Sequence, residues 1–180
     1  MVELVTLQTI SYIAGSTSVV LGIIYYMFNL REQRRNQRIN QAYNLTQKIE
    51  TLEFNKIQAE LLNFEWKDYE DYERKYGSDN NLDAYAKRIY VWRTFDSLGF
   101  MLKRNMVDAE ILCDHGGGLP IILMWSKFEP VIKESRVIYS TGHYWMSGFE
   151  YLAGEMLKIH KRRDSKFMVQ ETFLKYVIKK

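Results

Sequence analysis

The sequence predicts an all-helical protein in which one N-terminal transmembrane helix continues into a cytoplasmic helical bundle. Three observations carry that prediction. No charged residue occurs over 4–30, and arginines then cluster at Arg31, Arg34, Arg35 and Arg38. Neither proline nor glycine interrupts 29–76, where Gln, Glu, Lys, Arg and Leu, all good helix formers, dominate. Only two prolines occur in 180 residues, and no alternating apolar–polar run marks a strand.

The most apolar stretch is 10–28, and its 19 residues span roughly 28 Å as a helix, the thickness of a hydrocarbon core. Tyr25, Tyr26 and Phe28 lie beside the arginines, where amphipathic rings favour the membrane interface. Ser11, Ser16, Thr17 and Ser18 fall inside the span, and a helix accommodates such hydroxyls by bonding them back to its own carbonyls. A cleaved signal peptide would carry positive charge before its apolar core, whereas here the only early charge is Glu3 and the basic residues follow. Excess Arg on one flank sets orientation, so the N-terminus is expected outside and the rest in the cytoplasm, a single-pass protein of the cell membrane. The organisation expected is an anchor over 1–30, a basic juxtamembrane collar over 31–38 and a cytoplasmic helical domain over 39–180.

Ser11, Gly15, Ser18 and Gly22 recur at spacings of four, three and four, so they line one helical face. Small residues there let two backbones approach closely, which suits self-association or pairing with another membrane protein; the same stripe can also simply face lipid.

Net charge is +3, and the first 38 residues hold four arginines against Glu3 and Glu32, leaving the rest at only +1. Wholesale nucleic-acid binding is therefore not implied. The lone cysteine, Cys113, has no partner for a disulfide, which fits a reducing compartment. With 26 aromatic residues, the domain has bulk enough for its own core.

Past the collar, Leu45, Ile49 and Leu52 give way to Phe54, Ile57, Leu61 and Phe64, spaced by threes and fours. That pattern predicts an amphipathic helix running toward Tyr76, and the shift between stripes argues against an extended coiled coil. The acidic stretch 65–73, with Trp66, Tyr69 and Tyr72 interleaved, reads as a solvated helix end. The run 77–81 reads as a loop whose Asn or Asp caps a second long helix over 82–105. Tyr85, Ile89, Trp92, Phe95 or Asp96, Gly99 and Leu102 share one face of it, and Gly99 is expected to admit a neighbouring backbone. Asp108 is expected to cap a short helix over 109–114, ended by Gly116, Gly117 and Gly118. Pro120 suits the first turn of the next helix, while Pro130 is expected to kink or split it. Two last helices are expected over 144–161 and 166–180.

Phe95-Asp96-Ser97-Leu98-Gly99, Asn105-Met106-Val107-Asp108, the short helix with its Gly turn, and Trp125 form a recognisable series. Together with the span and collar, it resembles an uncharacterised family of small prokaryotic single-span membrane proteins with a cytoplasmic helical domain. The resemblance implies architecture and location and supplies no activity.

Chemistry has little support in the pattern. His115, His143 and His160 lack ligand spacing, and no P-loop Lys-Ser/Thr follows the glycines, so neither metal nor cofactor is predicted. Cys113 reads as a buried small hydrophobe. The basic cluster Lys158, Lys161, Arg162, Arg163 and Lys166, followed by Phe173, Leu174 and Tyr176, would suit contact with the bilayer surface, or packing on the core with its cations in water. The expected role is a membrane-tethered helical interaction module that self-associates, with the lipid bilayer and a second copy or another membrane protein as partners. The rival is a ligand-sensing or enzymatic domain whose pocket lies between the second helix and the Trp125 and Trp145 helices. Arg93, Asp96, Glu129 and Arg136 are its polar candidates.

Overall fold

The computed structural model describes residues 2–114 and 118–167. Every regular element among them is a helix. The chain divides into two compact units, residues 1–41 and 42–180.

The first unit is formed by helix α1, Val2–Glu50, whose last turns belong to the second. Over Glu3–Gln37 it is long and apolar enough to cross a membrane, and none of its most apolar window is buried against protein. Its hydroxyls turn inward as expected: Thr9, Ser11 and Ser18 donate to the carbonyls of Val5, Leu7 and Ala14 at 2.8, 3.0 and 2.8 Å.

The long helix does not reach Tyr76. It stops at Glu50, where Thr51 takes an extended backbone (ψ 145°). The Thr51 hydroxyl donates to the Lys48 carbonyl at 2.8 Å and accepts from the Phe54 amide at 3.2 Å. One side chain thus closes α1 and caps α2, Leu52–Leu62. A second break follows at Asn63, and Asp68 caps α3, Tyr69–Tyr76, by accepting from the Asp71 amide at 2.8 Å. No glycine or proline lies at either break: the Thr51 hydroxyl donates to the end of α1, and the Thr51 hydroxyl and Asp68 carboxylate accept at the starts of α2 and α3.

Asn81 caps α4, Leu82–Lys103, as expected, accepting from the Ala84 amide at 3.1 Å. Asp108 caps α5, Ala109–Leu112, which is shorter than expected. Helix α6, Gly118–Ile138, contains Pro120 in its first turn and continues through Pro130, so of the expected kink or split the split does not occur. Pro130 is exposed while Phe128, Val131 and Ile132 are buried, so packing on one side holds the helix across the missing N–H on the other. A single 3-10 turn, Gly142–Tyr144, precedes α7, Ser147–Arg163, which starts later than the expected 144. The expected helix over 166–180 lies outside the described residues beyond Phe167, as do His115, Gly116 and Gly117.

Helices α4 and α7 form the most extensive pairing, with α6 against α7 next. They cross at glycine: a Cβ on Gly99 would sit 1.8 Å from the Gly148 carbonyl oxygen, and one on Gly148 would sit 2.2 Å from that of Asp96. The core around this crossing is aromatic, with Phe54, Trp92, Phe95, Phe128 and Phe149 fully buried. Tyr72 is fully buried too and Trp66 stacks on Phe128 at 5.4 Å, so the acidic 65–73 stretch turns its rings inward rather than lying in solvent.

Candidate functional site

Four features carry chemistry, and each grows from a local sequence choice. The first is α1. Ser11, Gly15, Ser18 and Gly22 are exposed along it, and nothing lies within 4 Å of where a Cβ on either glycine would stand. Arg31, Arg34 and Arg35 are exposed one turn and more beyond the apolar stretch; the side chain of Arg38 lies outside the described residues.

The second is the start of α7. Its preceding residue, Met146, is left-handed (φ 57°) and offers no capping side chain. Asp96 of α4 caps it instead, accepting from the amides of Gly148 and Phe149 at 2.8 and 3.1 Å. Burial pushes the Asp96 carboxyl above the ordinary carboxylate range, and the two N–H donors oppose that. Arg136 of α6 joins the same place: its Nε donates to the Trp145 carbonyl at 2.8 Å, and it pairs with Glu150 at 2.8 Å. Of the four pocket candidates, the structure therefore brings Asp96 and Arg136 together. Glu129 pairs with Lys133 at 2.7 Å on the helix surface, and Arg93 stands exposed on another face.

The third feature is a pair of buried cations that sequence reasoning did not single out. Lys127, 1% exposed, donates to the carbonyls of Leu62 and Phe64 at 2.6 Å each, and its Nζ lies 5.1 Å from the centre of the Trp66 ring. It caps the C-terminus of α2 from across the core, and burial pulls its pKa down to about 8. Arg88 lies among Tyr72, Tyr85 and Trp92, with its guanidinium carbon 5.1, 4.9 and 5.0 Å from their centres, and it donates to the Tyr72 hydroxyl. Lys127 had a visible signal, a lone cation inside the apolar run 121–128. Arg88 had one in the aromatics at positions 85 and 92, which share its face. Cys113, buried as expected, has its Sγ 3.6 Å from His160 Nε2, and burial pushes its thiol up despite the nearby Arg163. Arg162 and Arg163 of the expected basic cluster are paired with Glu110, and Arg163 also with Asp114.

The fourth is an open groove of about 540 Å³ within the second unit, along the exposed side of α4 and the last turns of α1. Lys48, Leu82, Tyr85, Ile89, Tyr90 and Arg93 supply most of its surface. No group of three His, Cys, Asp or Glu side chains suited to a metal occurs among the described residues.

With this geometry in place, comparison with known families is decisive on one point. A family model described as a domain of unknown function, DUF4760, matches residues 16–156. The chain belongs to that family. The DUF4760 match begins inside the apolar stretch and ends within α7, so the family's domain takes in part of the long N-terminal helix as well as the bundle. No curated protein and no solved structure matches the chain.

Proposed function

We propose that this protein is a membrane-tethered helical interaction module, held by one span with the N-terminus outside and the bundle in the cytoplasm. A single observation carries the tether: α1 exposes Ile10, Ile13, Val19, Val20, Leu21, Ile23 and Ile24, none covered by protein. Leaving those seven side chains in water costs on the order of 10 kcal/mol, comparable to the whole stability of a domain. Lipid removes that cost, and the arginines that follow suit the cytoplasmic interface. The bundle has its own aromatic core and so needs no lipid of its own. The open small-residue face of α1 supports self-association in the membrane, because both serine hydroxyls bond back to their own helix and leave the face smooth.

Protease digestion of sealed vesicles tests the orientation. The bundle is expected to be cut in inverted vesicles and protected in right-side-out ones; the opposite pattern refutes the topology. The rival, a ligand-sensing or enzymatic domain, draws on Nη2 of Arg136 and Nε1 of Trp92, both buried without a hydrogen-bond partner among the described residues. It ranks second because Arg93 and Glu129 point their chemistry elsewhere.

A further inference from the structure

The groove on α4 is charged in one sense. Lys48 and Arg93 line it with the tyrosines, and among the described residues no carboxylate does. The Lys48 ammonium lies 5.9 Å from the centre of the Tyr90 ring, and Arg93 is exposed with no ion pair among the described residues. Of the nearby acids, Asp96 accepts from the α7 amides, Asp83 and Glu60 pair with Lys87 at 2.7 and 2.9 Å, and Glu50 is not among the residues that line the groove. Among the described residues, the groove thus offers an apolar, aromatic floor with two cations and no carboxylate in its lining.

The same chain carries the converse surface. At the end of α6, Glu134, Val137 and Ile138 stand at spacings of three and four, hence on one helical face. All three are exposed, and exposed Tyr139 and Tyr144 follow in the turn beyond. Glu134 has no cation partner among the described residues; the adjacent Lys133 is taken by Glu129. A ridge of aliphatic side chains carrying a carboxylate matches a groove of rings carrying two cations, in charge and in apolarity.

We propose that the α4 groove of one copy receives the α6 ridge of a second copy, with Glu134 of one facing Arg93 and Lys48 of the other. The contact uses two different patches, so it is heterologous and can extend beyond a pair. The proposal rests on the membrane-tethered reading, since confinement to one bilayer raises the effective concentration that lets a small contact form. It is separate from packing through the anchor.

The test uses the full-length chain in liposomes, with the photo-crosslinker p-benzoylphenylalanine at exposed position 97 on the rim of the groove. The expected result is a crosslinked dimer whose adduct maps to 134–144. Arg93→Glu and Glu134→Arg should each lower the yield at least tenfold, and the double variant should recover to within threefold of the unswapped chain. Circular dichroism checks that each variant is folded. An adduct on lipid, an adduct elsewhere on the chain, or no recovery in the double variant overturns the proposal. Sedimenting the same liposomes separates the two ideas: protein in the pellet without the 134–144 adduct refutes only the contact, whereas protein in the supernatant refutes the tether.

Discussion

Lys127 shows how one side chain ties distant segments. Its ammonium is shared between two carbonyls more than 60 positions earlier in the chain, so it fixes the α2–α3 turn to α6. Burial lowers its pKa from 10.5 to about 8, and the sign of the consequence follows. Below about 8 it is charged in both states and the desolvation cost is fully present. Between about 8 and 10.5 the folded protein has released a proton that the unfolded chain still holds, so stability rises with pH; above 10.5 the gain is complete. The rise is on the order of 3 kcal/mol and should be missing from Lys127→Met, as denaturant titrations of both proteins at pH 7.5 and 10 would reveal. Equal pH dependence in the two proteins would contradict it. At Arg88, removing the cation from its ring of Tyr72, Tyr85 and Trp92 should cost about 2–4 kcal/mol in Arg88→Ala, read as a lowered denaturant midpoint. The apolar run around Lys127 and the aromatics flanking Arg88 hinted at burial, but a lone Lys or Arg in a helix normally reaches water, and the partners of both are set by tertiary contact.

Between elements, the α4–α7 crossing is set by two glycines and one aspartate. Gly99→Ala or Gly148→Ala would drive a methyl group into backbone across the interface, which cannot move aside as a flexible side chain can. Each is expected to destabilise by about 3 kcal/mol or more, measured by thermal unfolding. Asp96→Ala should cost roughly 1–2 kcal/mol by uncapping α7, whereas Asp96→Asn keeps the acceptor and should recover most of that loss. Much at this scale was legible beforehand. Asn81 and Asp108 signalled their helices as short polar caps, and Gly99 signalled a close approach because nothing else justifies its cost inside a helix. The break at Thr51 was not legible, since its neighbours favour helix and only the hydroxyl bridging Lys48 and Phe54 reveals the turn. At Pro130 local propensity argued for a kink or split, and burial of Phe128, Val131 and Ile132 kept the helix from splitting. Of the candidate polar residues, spacing along α4 could not tell that Asp96 would turn to α7 while Arg93, three positions earlier, faces solvent.

For the molecule as a whole, the charge-free run and arginine collar foretold the long exposed helix, because the physics that exposes it is a matter of composition alone. The surface patches of the bundle were not legible, since they are faces assembled from separated segments. Replacing Gly15 and Gly22 with Leu fills the open face of α1 and should abolish anchor-mediated dimers in membranes, seen as loss of crosslinking between cysteines placed in the span. Unchanged crosslinking would refute that face as an interface. The most direct measurement of the central claim is extraction of membranes carrying the full-length protein with alkaline carbonate. A membrane-spanning α1 should keep the protein in the sedimented membranes, with release only by detergent; recovery of the protein in the carbonate supernatant would refute the span.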